Sequence, residues 1–285
     1  MRAVAAAGAA IALAAASGCG GQAASGGGGV VAFEPFAAET LVALGVEPAA
    51  VPRLGDPPPA LRGLPTISVD HSAGPDMERL VSLAPDRVLS SPRWSSFHEA
   101  IQDQGIEVHS FDPRSIDELS RQTLLLGGLV GRRERARRLV VRYRSAVRQA
   151  RERAPTAKPD VLLLFGTVQG TLAFLPGTYA ADLVRAVGGR VASDRLRESG
   201  EFAGFAPISL EEVVRRDPDV IIAMTHGAEG ADSTIAERLA AQPAWRDLEA
   251  VQAGRVHVTD ADLFVASPGP RLPGALRELH RLVHR

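Results

Sequence analysis

Cysteine occurs once in 285 residues, at Cys19, and a lone thiol excludes an internal disulfide framework. Aromatic residues make up only 5% of the chain, with two tryptophans and two tyrosines, so each one is worth placing. No apolar run in the body of the chain reaches the roughly 20 residues that a bilayer-spanning helix needs. Charge of either sign is not in excess: the formal net charge is −1, which gives no overall electrostatic reason to expect nucleic acid. There is no G-x-S-x-G elbow, no P-loop, no G-x-G-x-x-G behind a strand and no Ser-x-x-Lys. The seven histidines are scattered and no Cys-x-x-Cys exists, so a bare metal site, which needs three or four close ligands, is disfavoured. No catalytic residue, no metal ligand set and no resident cofactor is assigned.

What is present begins with an export signal. Arg2 supplies a positive start, Val4 to Ala16 form an apolar run of signal-peptide length, and small residues precede Cys19. This reads as a leader over 1–18 and a lipidated cysteine at 19. The segment 20–29, rich in Gly, Ser and Ala, reads as a flexible tether, since such a composition cannot bury enough surface to order itself. The expectation is an extracytoplasmic protein held at the membrane through its lipid anchor only, or periplasmic if unlipidated.

Beyond residue 30 short apolar strands alternate with helices, the pattern of parallel βα units. Over Arg132–Arg153 the pattern changes. Apolar residues at Ala136, Leu139, Val140, Tyr143, Val147 and Ala150 fit one helix of about 33 Å at 1.5 Å per residue. Its many arginines read as a solvated face. Alternation then resumes, which implies an N-terminal α/β lobe over 30–131, a bridging helix over 132–153 and a C-terminal α/β lobe over 154–285. Each lobe is expected to be three-layered with a parallel-type sheet. A repeat supports two similar lobes: "MERLVSLAPDRVLSS" from Met77 returns as "LEEVVRRDPDVIIAM" from Leu210, an offset of 133 residues.

The chain resembles the substrate-binding lipoproteins of ABC importers for ferric siderophores, haem and cobalamin, the class whose two lobes are bridged by one long helix. The resemblance rests on "VAFEPFAAETLVALGV", "MERLVSLAPDRVL", "GIEVHSFDPRSIDELSRQTLLLGGLVGRRERARRL", "LVRAVGGRVA", "ISLEEVVRRDPDVII" and "QPAWRDLEAVQAGRVHV". It implies a monomer that captures a small metal chelate, most simply a ferric siderophore, between its lobes and delivers it to a permease dimer. It also implies that Glu78 and Glu211, matched surface glutamates, dock on permease arginines. Haem and cobalamin remain alternatives, as do a sensor and an extracytoplasmic α/β enzyme.

In open parallel sheets ligands sit beyond the carboxyl ends of the strands. The loops there offer Arg93 and Trp94, Gln169, Phe202 and Phe205, His226, and Arg271 as ligand-binding candidates: aromatic faces for contact and arginines for the oxygens of an anionic chelate. His226 reads first as a solvent-exposed loop residue, with a haem ligand or a hydrogen-bond donor to a siderophore as alternatives, and His71 could face it across the cleft. Trp245 reads as structural.

Overall fold

The structure, a computed structural model, is described for residues 28–70, 73–167, 170–198, 203–225, 245–260, 263–264 and 267–284. Strand β1 (Val30–Ala32) runs into helix α1 (Pro35–Ala43), which opens on a proline, where the missing N–H costs nothing. The two-residue strands β2 (Val51–Pro52), β3 (Thr66–Ile67), β4 (Val69–Asp70) and β5 (Gly74–Pro75) carry the proline-rich connection. Helix α2 (Met77–Leu83), strand β6 (Arg87–Ser90), helix α3 (His98–Gln102), strand β7 (Glu107–Ser110) and helix α4 (Ile116–Leu129) follow. β1, β6 and β7 form a parallel sheet in that order.

Helix α5 (Arg133–Arg153) leads to a second sheet. Its elements are β8 (Asp160–Thr167), β9 (Gly170–Phe174), α6 (Tyr179–Ala186), β10 (Arg190–Val191), β11 (Phe205–Pro207), α7 (Leu210–Arg216), β12 (Val220–Thr225), α8 (Glu249–Gln252), β13 (Val256–Asp260) and α9 (Leu272–Val283). The strand order is β11-β9-β8-β12-β13, with β10 beside the start of β8. β8, β10, β12 and β13 are parallel, while β9 runs antiparallel to both its neighbours, β8 and β11. The expectation of a parallel sheet is therefore amended at one edge. The register pairs Thr167 with Gly170, a connection far too short for a parallel crossover, so the stretch expected as a loop after β8 returns as a strand whose Leu172, Ala173 and Phe174 are buried.

The repeat survives in three dimensions. Asp76 caps α2 by accepting from the Arg79 N–H at 2.9 Å, and Ser209 caps α7 by accepting from the Glu212 N–H at 3.3 Å. Both seven-residue helices end on a left-handed residue, Ala84 (φ 44°) and Asp217 (φ 42°). Each precedes a proline, whose ring disfavours the right-handed helical conformation in the residue before it. The chain accepts a cost of about 1 kcal/mol for a non-glycine residue there and enters β6 or β12 three residues later.

The two sheets are separate, yet the helices around them are not. One apolar cluster runs from Val30, Phe36 and Leu41 beside the first sheet, through Leu139, Tyr143 and Val147 of α5, to Val161, Phe174 and Leu276 beside the second. α4 folds back on α5 so closely that a Cβ on Gly127 would stand 2.3 Å from that of Ala136. The halves are thus welded along α5, not merely held apart by it.

Candidate functional site

The carboxyl ends of β1, β6 and β7 bring together Glu34, the turn Ser91–Phe97 and the segment Phe111–Arg114. Glu34 ties two of these ends: its Oε1 accepts from Ser91 Oγ at 2.7 Å and from Trp94 Nε1 at 3.0 Å. Trp94 is only 3% exposed and packs with Val31, Phe33, Val88 and Ile101. Expected as a ligand face, it is a core residue, because its large ring gains more from burial than a loop position suggested. Arg93, its neighbour, is exposed on the same turn. Burial pushes the Asp112 carboxyl above its ordinary range, and the nearby positive charges of Arg114 and then Arg93 pull against it. This side of the site therefore presents two arginines around a partly desolvated acid.

On the other side, Phe205 of β11 is half-buried against Phe174 at 4.7 Å between ring centres and Phe165 at 6.0 Å. The three rings form a platform at the β8–β9–β11 edge. Gln169, Phe202 and His226 lie outside the described residues, as do His71 and Cys19 with the leader and tether. Trp245 is buried, 4% exposed, among Leu162, Leu164 and Leu248.

Arg271 is placed differently from the expectation. Its Nε lies 3.0 Å from Oε2 of Glu39, a carboxylate on α1 that is only 5% exposed, while the arginine side chain keeps 30% exposure. The guanidinium serves the junction between the halves, not an open ligand surface. Its turn lies tightly on α1: a Cβ on Gly269 (φ +50°) would come 3.1 Å from the Phe36 carbonyl oxygen. Nearby, Asp182 of α6 accepts from the Ile116 N–H at 2.9 Å, so the second half caps a helix of the first. Tyr143 and Tyr179 complete the junction. Burial raises both phenols far above their usual value, outweighing the opposing pull of Thr123 on Tyr143 and of Ser267 on Tyr179.

Sequence reading does not find Glu34, Glu39, Asp112 or Asp182. Glu34 and Asp112 carry a signal, since each lies two residues past the end of a strand. Glu39 had none: it sits in an apolar helix whose partner lies more than two hundred residues away. The reading also passes over an i,i+4 histidine pair, His280 and His284, whose rings lie 4.8 Å apart. The latter's Nε2 is 2.7 Å from the Val187 carbonyl oxygen. Burial, then the His284 and Arg153 charges, hold the His280 pKa low.

Glu78 and Glu211 are both exposed in the first turns of α2 and α7. Neither forms an ion pair within the described residues, although Glu212 beside the second binds Arg216 at 2.9 Å.

The comparisons with known proteins agree with this architecture. The family model described as periplasmic binding protein matches residues 30–263. Two Bacillus subtilis (strain 168) proteins named as ABC transporter substrate-binding lipoproteins are each 24% identical. YhfQ matches over 68% of this chain and 62% of its own, and YvrC over 73% of this chain and 65% of its own. The chain thus spans a little under two thirds of the curated relatives it matches. Among solved structures, the periplasmic heme-binding protein BhuT in complex with two hemes superposes with a TM-score of 0.73 at 26% identity, covering 89% of this chain and 97% of that one.

Proposed function

Because the chain belongs to the periplasmic binding protein family, we propose that it is the extracytoplasmic substrate-binding lipoprotein of an ABC importer, a carrier and not a catalyst. Its cargo is an anionic iron chelate, in the first place a ferric siderophore, held between the Arg93 side and the Phe205 platform and passed to a permease dimer. Cys19 carries the lipid; the lipoprotein names of both relatives support this.

The observation that carries the reading is the matched pair Glu78 and Glu211. Each gains about 0.3–1 kcal/mol from the helix dipole, which explains one such glutamate. Two of them, exposed, free of ion pairs within the described residues and carried on repeated helix–turn–strand units of two separate sheets, form a two-point gauge. A partner engages both only when the lobes stand at the proper separation. Exposed ion pairs are worth about 0–1 kcal/mol each, so they set orientation and encounter rate more than affinity. Movement between the lobes is small, because the core along α5 joins them.

Titrating the purified protein with ferric siderophores, haem and cobalamin, followed by intrinsic fluorescence with Trp94→Phe as a control, tests the cargo. Saturable binding of a ferric siderophore supports the reading; silence to all three defeats it. Haem is the second reading, favoured by the likeness to BhuT, and binding of haem alone selects it.

A further inference from the structure

Helix α5 carries two stripes, not one. The buried stripe, Ala136, Leu139, Val140, Tyr143, Val147 and Ala150, faces the core. On the exposed side, Arg137, Val141, Arg144, Arg148 and Arg151 recur at spacings of four and three, a straight row about 21 Å long at 1.5 Å per residue. The helix holds nine arginines against two glutamates in a chain whose net charge is −1, so positive charge is gathered here.

Arginines on the other surface helices are paired or scattered: Arg79, Arg185 and Arg277 have no ion pair within the described residues but stand on three different helices. Arg121 pairs with Glu118 on α4, Arg215 and Arg216 with Glu212 on α7, and Arg281 with Glu278 on α9; Arg137, at the head of the row, pairs with Glu134. Arg144, Arg148 and Arg151 have no ion pair within the described residues and stand at i, i+4 and i+7, where like charges destabilise a helix by about 0.2–0.5 kcal/mol per pair. Val141, 63% exposed, interrupts the row with an apolar side chain. Unneutralised charge kept at that cost, with a valine facing water among it, fits a broad anionic surface better than free solvent.

We propose that this row docks on the anionic headgroups of a phospholipid bilayer. The tethered, extracytoplasmic reading above enters only in saying that such a surface is within reach. The contact is electrostatic and peripheral: guanidinium groups pair with phosphate oxygens, Val141 reaches the headgroup layer, and the acyl anchor is joined by a second, weaker signal. The expectation of membrane contact through the lipid alone is thereby extended.

The test uses the chain from Gly20 onward, which holds every described element and no acyl group, in co-sedimentation with vesicles. Phosphatidylglycerol mixed with phosphatidylcholine should retain it; pure phosphatidylcholine should not, and added salt should release it. Arg144→Gln/Arg148→Gln/Arg151→Gln should lower the partition coefficient about fivefold per arginine, about a hundredfold together. The corresponding triple Lys variant should keep most of it, and Glu152→Gln should raise it. Iron-chelate titration of each variant reports separately on the cargo site, so loss of vesicle binding with intact chelate binding concerns this proposal alone. Equal retention by both vesicle types, retention unchanged in the Gln variant, or binding to duplex DNA with none to vesicles would each overturn it.

Discussion

Replacing Arg271 by methionine separates two accounts of that residue. A ligand contact would lose cargo affinity and leave stability alone. The structure instead places its guanidinium 3.0 Å from Glu39, with 30% and 5% of the two side chains exposed. Two unit charges about 4 Å apart attract by about 4 kcal/mol at an effective dielectric constant near 20, and the arginine's residual exposure screens part of that. Removing it takes a countercharge 3.0 Å away from a buried carboxylate, and breaking a buried pair in this way costs about 3–5 kcal/mol; about 3 kcal/mol is expected here. For a chain of this size that lowers the thermal midpoint by about 6–12 °C, readable by circular dichroism at neutral pH. Glu39→Gln in the Arg271→Met background should recover part of the loss, since the buried carboxylate charge is then removed as well. A midpoint within a degree of the parent, with weakened cargo binding, would refute the clamp and restore Arg271 to the ligand site.

Two further outcomes follow from the same junction. Gly269→Ala should destabilise by about 1–2 kcal/mol, from a left-handed backbone and a methyl 3.1 Å from the Phe36 carbonyl oxygen, measured by urea unfolding. Tyr143 and Tyr179 have folded pKa values raised above their unfolded ones, chiefly by burial. Their contribution is therefore fully present below the unfolded value of about 10 and is lost as pH rises beyond it. Stability should fall on alkaline titration above about pH 10 and fall less steeply in Tyr143→Phe/Tyr179→Phe; equal slopes would contradict the assignment.

The regular elements were legible because their signals are local. Ser115 caps α4 by accepting from the Glu118 N–H at 3.1 Å, as a Ser-x-x-Glu spacing implies. The box is nonetheless displaced by one residue, since the Glu118 carboxylate accepts from the Arg114 N–H at 2.7 Å. The buried stripe of α5 was readable residue for residue. The antiparallel return of β9 was not, because Thr171 to Phe174 make a run too short for periodicity to separate strand from loop. Long-range pairing was invisible in principle: nothing near Glu39 announces Arg271, and nothing near Asp182 announces the free N–H of Ile116. Trp94 was misplaced for the opposite reason, since a loop aromatic carries the same local signal whether it faces a ligand or the core.

The two-point gauge is tested most directly by transport. Cells carrying Glu78→Ala/Glu211→Ala, with the chelate identified by titration supplied as sole iron source, should lose uptake while the purified variant binds the chelate as tightly as the parent. Each single variant should be intermediate, and the residual uptake should depend less on salt. Full uptake by the double variant, or a parallel loss of chelate affinity, would contradict the account.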